Sequence, residues 1–134
     1  MKYLLDTNIC VFFFRGKYDM LNIIKQKGYQ NCCISEITVA ELRYGAEKSN
    51  NPPKLHQIID MFLEKVKVVQ LYSSILEFAK IKTKLEKSGT PLNDNFDILI
   101  GATAVHNNMI LVTDNMKHFE RFDKLKVENW IQRM

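Results

Sequence analysis

The sequence has little of what marks a secreted, membrane or low-complexity chain. It contains three cysteines, five glycines and three prolines among 134 residues, which is too few for a disulfide framework or a Gly/Pro-rich segment. Its longest apolar run, Ile9 to Phe14, is far shorter than the roughly 18 residues that a membrane helix needs. The apolar start stops at Asp6, which is unlike a signal peptide. These absences predict a cytoplasmic protein with reduced thiols and no membrane segment.

The composition is that of an ordinary globular domain. Hydrophobic residues make up 46% of the chain and charged residues 25%, which excludes a disordered chain. No repeat, linker or change of composition divides the sequence, so a single domain is predicted over residues 1–134. The formal net charge of +4 permits a polyanionic partner without requiring one.

Short apolar segments alternate with helical patterns along the chain. Strands are predicted at residues 2–5, 32–34, 66–69, 109–112 and 125–127, and helices at 9–14, 20–27, 36–48, 95–107 and 115–122. Two further helices are predicted by apolar stripes at helical spacing, which run from Leu55 to Val66 and from Leu71 to Leu85. This alternation predicts an α/β fold, with a parallel sheet covered by helices on both faces.

Four acidic residues are placed where such a fold carries its site, beyond the carboxyl ends of the strands. Asp6 follows the first predicted strand and Asp114 follows the fourth. Glu41 lies two turns into the helix after the second strand, and Asp97 lies in the first turn of a later helix. Carboxylates gathered at one edge repel one another, and Mg²⁺ or Mn²⁺ would offset that repulsion with the oxygen ligands these ions prefer.

Each acid also has a simpler structural interpretation. Asp6 can be only a helix N-cap, Glu41 an exposed helix residue and Asp114 a turn residue. Asp97 and Asp94 can be a first-turn acid and its cap. Spacing alone leaves both interpretations open. No metal-ligand spacing links the three histidines, which are expected at the surface or in the core: His56, His106 and His118.

The acids lie in four motifs that occur in a fixed order. The motifs are Met1 to Ile9 around Asp6, Ile34 to Ser49 around Glu41, Phe96 to Ala104 around Asp97, and Leu111 to Phe119 around Asp114, followed by the ending Leu125 to Trp130. Together they resemble the PIN-domain family, and specifically the VapC toxins of bacterial toxin–antitoxin pairs. The resemblance runs from end to end of the chain.

The resemblance implies a PIN-like three-layer α/β/α fold with a parallel sheet of about five strands, and a metal-dependent endoribonuclease. Asp6, Glu41 and Asp97 would hold Mg²⁺, with Mn²⁺ as a substitute, and Asp114 would be a fourth ligand or would position water. Asn115 competes with Asp114 for that fourth position. Outer residues would orient these carboxylates, namely Thr7, Asn8, Asp94, Thr113 and Asn115.

The resemblance also implies a substrate and partners. Cleavage of RNA, with a tRNA anticodon loop as the expected target, would leave 5′-phosphate and 3′-hydroxyl ends and inhibit translation. A VapB-type antitoxin and a homodimer are expected. The consecutive aromatics Phe12 to Phe14 cannot all face one core, so a partner is expected to cover part of them. Two basic helix faces are either RNA contacts or solvated surface: Lys80, Lys84 and Lys87, and Lys117, Arg121 and Lys124.

Two other functions remain open. The first is a PIN nuclease of RNA maturation that has no antitoxin, and the second is a non-catalytic α/β module that binds Mg²⁺. Glu41 favours a nuclease, because a receiver-like module does not need it. A small antitoxin gene beside this one would separate the toxin from the maturation nuclease.

Overall fold

Five strands alternate with seven helices in the computed structural model, which describes residues 2–133; Met1, which opens the first motif, and Met134 lie outside that range. The strands are β1 (Tyr3–Leu5), β2 (Cys32–Ser35), β3 (Lys67–Val69), β4 (Ile110–Val112) and β5 (Lys126–Glu128). The helices are α1 (Thr7–Phe14), α2 (Met20–Lys27), α3 (Glu36–Lys48), α4 (Pro52–Leu63), α5 (Ile75–Lys87), α6 (Asn95–His106) and α7 (Met116–Phe119).

The strands form one parallel sheet in the order β3-β2-β1-β4-β5. The chain builds outward from β1 to β3 on one side and then returns to add β4 on the other side of β1. The strand order therefore reverses between β1 and β4, where open α/β sheets place their ligands. The predicted parallel α/β fold is confirmed, and residues 6, 35 and 113 leave the sheet at one common edge.

Alternate strand residues face two separate hydrophobic cores. Leu5 and Ile34 pack under α1 to α4, whereas Leu4 and Leu111 pack under α5 to α7. This alternation follows from the two-residue period of a strand. Because both faces are covered, the sheet is the middle of three layers, as predicted.

Local capping explains where several helices begin. Asp6 accepts a hydrogen bond from the Thr7 backbone N–H, so α1 begins at Thr7, two residues before its predicted start. Asn51 accepts one from the Lys54 N–H, so α4 begins at Pro52. These carboxylate and amide side chains accept hydrogen bonds from backbone N–H groups of the first helical turn, which have no partner within the helix.

Two helices are shorter than the sequence predicted. A 3₁₀ turn over Tyr72–Ser74 precedes α5, so Leu71 of the predicted stripe lies outside the helix, and Ile75 is 48% exposed. The last helix, predicted over 115–122, ends at Phe119. The chain turns there, and Phe122 packs beside Phe119 in the core instead of continuing the helix.

The aromatic run after β1 is a further correction. Phe12, Phe13 and Phe14 are all partly buried against the same core, although three consecutive residues were expected to divide between core and surface. The rings of Phe13 and Phe14 lie 5.0 and 5.2 Å from that of Phe62 in α4. The neighbouring segments enclose α1 on more than one side, so most of its circumference is covered.

Two observations bear on the predictions about thiols and membranes. Cys10, Cys32 and Cys33 are free and buried, and burial raises the pKa of each thiol. No helix within residues 2–133 is long and apolar enough to cross a membrane.

Two helical glycines provide a matched test of packing. A Cβ at Gly101 in α6 would lie 2.5 Å from Phe122 Cε2, whereas one at Gly45 in α3 would meet nothing within 4 Å. We expect Gly101→Ala to lower the free energy of unfolding by about 1–3 kcal/mol, because the buried Phe122 ring would have to shift to admit the new methyl group. Gly45→Ala should raise it by up to about 1 kcal/mol, the difference in helix propensity. Urea unfolding of both variants measures this, and equal effects would contradict the packing argument.

Candidate active site

Asp6 directly follows β1, caps α1 and is 5% exposed. Its Oδ1 accepts a hydrogen bond from the Thr7 N–H at 2.8 Å, and its Oδ2 accepts one from the Thr113 hydroxyl at 2.7 Å. The pKa of Asp6 is nevertheless raised to about 6, chiefly by burial and to a smaller extent by the charges of Asp97 and Glu41. The two hydrogen bonds therefore offset only part of the cost of burying the ionised carboxylate.

Glu41 reaches the same edge from α3. Ser35 at the end of β2 caps this helix by accepting a hydrogen bond from the Ile37 N–H at 2.9 Å. The Thr7 hydroxyl donates to Glu41 Oε1 at 2.7 Å and lies 3.1 Å from the Thr38 hydroxyl. Burial raises the pKa of Glu41, and the nearby Asp97 adds to the increase.

Asp97 lies in the first turn of α6, which Asp94 caps by accepting a hydrogen bond from the Asp97 N–H at 3.2 Å. Asp97 Oδ2 lies 2.7 Å from Nδ1 of His118 in α7. Burial raises the pKa of Asp97, the contact with His118 opposes that increase, and the Asp94 charge adds to it.

His118 is a site residue that the sequence analysis did not identify. It was expected at the surface or in the core, whereas the structure places it against one of the predicted acids. Its position in the fourth motif, four residues after Asp114, was the available signal. A half-buried imidazole in contact with a carboxylate fixes where that carboxylate points.

Asp114 has a different environment. Arg133 donates two hydrogen bonds to its carboxylate at 2.8 and 2.6 Å, and the Asn129 amide donates a third at 3.3 Å. Arg133 lowers the pKa of Asp114, opposite to the shifts of the other three acids. Asn8 accepts from the Asp114 N–H at 3.3 Å, which ties this loop to α1. Asp114 therefore lies at the same edge, but Arg133 already neutralises it.

The remaining predicted outer residues form hydrogen bonds around these carboxylates. Thr7 bridges Asp6 and Glu41, and Thr113 binds Asp6 while accepting the Asn115 N–H at 3.0 Å. Their hydroxyls connect β1, α1, α3 and the end of β4. These contacts are of the kind that orients ligands in a metal site.

The donor set fits a hard divalent cation in its chemistry. Asp6, Glu41 and Asp97 are oxygen donors from three parts of the chain, and each has a raised pKa chiefly because it is buried. A cation would favour the ionised forms. Within residues 2–133, however, no three Asp, Glu, His or Cys side chains are arranged as a preformed metal site.

The predicted basic residues lie on the layer that contains α5 to α7. Lys80, Lys84 and Lys87 are exposed on α5, and Lys117 and Arg121 are exposed in and after α7. The two groups lie close together, as the ion pair between Lys84 of α5 and Asp123 after α7 shows.

Comparison with known proteins gives a consistent result. The PIN domain family matches residues 3–125. Ribonuclease VapC2 of Haemophilus influenzae is 38% identical over 133 residues, which cover 98% of this chain and 99% of the relative. The tRNA(fMet)-specific endonuclease VapC of Salmonella typhimurium is 30% identical, and the alignment covers 97% of this chain and 98% of that protein.

Solved structures agree with the sequence relatives. VapBC2 from Rickettsia felis, bound to a DNA fragment from its promoter, has a chain that is 33% identical and superposes with a TM-score of 0.89, covering 97% of this chain and 99% of that one. DNA-bound VapBC from Salmonella typhimurium also gives a TM-score of 0.89, at 30% identity, with 97% and 98% of the two chains covered.

The raised pKa of Asp6 predicts a pH dependence of stability. The folded state binds a proton at this residue with a pKa of about 6, against an ordinary value of 3.8. In EDTA, the free energy of unfolding should therefore fall as the pH rises through this interval, by up to about 3 kcal/mol. Urea unfolding from about pH 4 to pH 7 measures the slope. Asp6→Asn should lack this part of the slope, and identical slopes in the two proteins would contradict the assignment.

Proposed function

The chain belongs to the PIN-domain family, in its VapC group of ribonucleases, and we propose that it is a metal-dependent endoribonuclease that acts as the toxin of a VapBC toxin–antitoxin pair. The observation that carries this proposal is the placement of Asp6, Glu41 and Asp97 at one edge of the sheet, where burial raises the pKa of each carboxyl group and a bound cation would favour the ionised forms. Its place of action would be the cytoplasm, where RNA is available.

The proposed chemistry is hydrolysis of an RNA phosphodiester. A water oxygen bonds to phosphorus, the bond from phosphorus to the 3′ oxygen breaks, and that oxygen gains a proton. The products are a 5′-phosphate and a 3′-hydroxyl. When bound by Asp6, Glu41 and Asp97, Mg²⁺ or Mn²⁺ supplies Lewis acidity and offsets the charge that develops on the phosphate oxygens.

The chain's own contacts hold these carboxylates in place. Thr113 and the Thr7 N–H fix the two oxygens of Asp6, and the Thr7 hydroxyl fixes Glu41. His118 orients Asp97. Asp114 holds Arg133 beside the acidic edge through two hydrogen bonds. In this position the Arg133 guanidinium would lie near the phosphate of a bound RNA.

The relatives support a tRNA substrate. The Salmonella typhimurium and Shigella flexneri proteins are named tRNA(fMet)-specific endonucleases, and they are 30% and 33% identical to this chain. We propose that this chain cuts a tRNA within its anticodon loop. Such a loop exposes its bases and backbone in a way that a duplex does not.

A VapB-type antitoxin is the proposed partner, because structures similar to this chain are VapBC complexes. An apolar cavity of about 300 Å³ adjoins Glu41 and is suited to apolar side chains of such a partner. It lies between three helices and is lined in part by Val11, Phe14, Leu55 and Ile58. Occupation of this cavity would cover Glu41 and thereby inhibit cleavage. A homodimer is part of the same proposal.

Cleavage by the purified chain should require a divalent ion. We expect EDTA to abolish it, and Mg²⁺ or Mn²⁺ to restore it. Asp6→Asn and Asp97→Asn should reduce turnover by more than the roughly 10–100-fold that the loss of an outer partner costs, and Thr113→Val should fall within that range. Gel-based cleavage of total RNA measures these rates.

Circular dichroism and urea unfolding provide the control that each variant is folded. A comparison of Asp114→Asn with Asn115→Ala identifies which residue fills the fourth position. Full activity in EDTA, or near wild-type turnover of the folded Asp6→Asn variant, would refute the metal site.

Expression in cells tests the toxin function and its target. The wild-type chain should arrest growth, co-expression of the neighbouring antitoxin should relieve the arrest, and Asp6→Asn should be harmless. Sequencing of 5′-phosphate ends after induction should place the new ends at one or a few positions of a tRNA.

Two outcomes would contradict this. Ends spread evenly over messenger, ribosomal and transfer RNA would exclude a site-specific tRNA nuclease. A wild-type chain that cleaves RNA in vitro but is harmless when expressed alone would favour a maturation nuclease without an antitoxin.

A further inference from the structure

Three adjoining cavities lie along α5 and the segment that follows α7. A cavity of about 240 Å³ lies between Lys80 and Lys84 of α5 and residues 121–124. A second, of about 440 Å³, adjoins it at Thr90 and Arg121, and an open depression along α5 shares Lys80 and Lys84 with the first. Together they form one surface, called here the basic cleft after its six basic residues: Lys80, Lys84, Lys87, Lys117, Arg121 and Lys124.

The basic cleft concentrates the positive charge of the molecule. Its lining contains those six basic side chains and three acidic ones, Glu77, Glu120 and Asp123, so its net charge is +3. The whole chain has a net charge of +4. Most of the excess charge therefore lies on this one surface, and the rest of the chain is nearly balanced.

The walls of the cleft are tied together by contacts that hold its shape. Lys84 pairs with Asp123 across the cleft, and Arg121 donates a hydrogen bond to the Pro91 carbonyl at 2.8 Å. Lys124 adopts a φ of 64°, a left-handed conformation in which lysine is uncommon. The segment after α7 thus presents its basic side chains on a fixed backbone.

The cleft and the candidate active site are formed in part by the same two chain segments. The segments 91–97 and 116–121 meet twice, once where Arg121 binds the Pro91 carbonyl and once where His118 contacts Asp97. The first contact lies in the cleft, and the second lies among the catalytic carboxylates. An RNA backbone bound in the cleft would therefore lie near Asp97.

The dimensions and chemistry of the cleft fit the backbone of an extended polyanion. From Lys80 to Lys87 the α5 face is about 10 Å long at 1.5 Å per residue, which exceeds one phosphate group. Of the described residues that line the cleft, only Phe122 is aromatic, and it is buried. Without exposed rings for stacking, such a surface contacts phosphates rather than bases.

We propose that the basic cleft is an RNA-backbone binding site that holds the substrate on one side of the bond to be cut, independently of base sequence. This proposal rests on the proposed ribonuclease function and extends it to a second contact region. The cleft contributes affinity, and the choice of the cleaved nucleotide is made at the carboxylate edge.

Binding to the Asp6→Asn variant tests the cleft without cleavage. The probe is a fluorescein-labelled oligouridylate of about 20 nucleotides, which exceeds the site of a single small domain. In this background, Lys80→Gln with Lys117→Gln removes two exposed charges from different parts of the cleft. The log–log salt slope should become shallower by about 1.4, so the affinity loss between about 50 and 200 mM salt becomes about seven-fold smaller.

A matched double variant provides the control. Lys25→Gln with Lys54→Gln removes the same charge from α2 and α4, which lie on the opposite layer, and should leave the slope unchanged. Conversely, Asp123→Asn releases Lys84 from its ion pair and should steepen the slope by about 0.7. Equal slopes for the cleft and control doubles would overturn the proposal.

Cleavage by the same lysine variants, with Asp6 restored, separates this proposal from the function on which it rests. The cleft double should raise KM with little change in kcat, as expected for lost uniform binding. Wild-type cleavage combined with a KM unaffected by the cleft double would refute the cleft alone. Absence of wild-type cleavage, with cleft-dependent binding intact, would refute the nuclease function and leave the binding site standing.

Discussion

Burial and mutual repulsion raise the pKa of Asp6, Glu41 and Asp97, which three different elements bring to one edge of the sheet. A charge held in this way destabilises the folded chain relative to a neutral side chain. The fold tolerates it because two hydrophobic cores fix the sheet and its helices from both faces. The folded state therefore keeps three buried carboxylates that a bound cation would stabilise. Active sites commonly lower the stability of the fold in this way to provide function.

Short polar side chains turn this edge into an ordered site. The Thr7 N–H and the Thr113 hydroxyl donate to the two carboxylate oxygens of Asp6, and the Thr7 hydroxyl donates to Glu41 in α3. The one acid with a strong cationic partner is Asp114, where Arg133 forms a paired contact. The edge thus combines three acids that lack a full counter-charge with one that already has it, and the positive charge of the chain is gathered farther along, in the basic cleft.

Local pattern predicted the strands, most helix limits and the placement of Asp6, Glu41 and Asp97, because apolar segments followed by capping residues define both elements and sheet edges. The contacts of His118 and Arg133 could not be predicted in this way. His118 contacts Asp97 across a sequence separation of 21 residues, and helix periodicity does not specify how α6 and α7 lie against each other. Arg133 reaches Asp114 because the chain returns to the sheet edge after β5, and no local pattern in the sequence specifies such a return.

The order of the strands has a consequence for biosynthesis. The first strand to be made, β1, lies at the centre of the sheet, and one of its two neighbours, β4, begins at Ile110. A ribosome that has made Asp6 must add 91 more residues before it reaches Asp97, which takes about 5–20 s at typical rates of translation. Throughout that time the nascent polypeptide has an incomplete set of acids and a central strand with one open side. A product that ends before Asp97 therefore lacks one of the three acids and also β4, so the carboxylate edge is assembled only late in the synthesis of the domain.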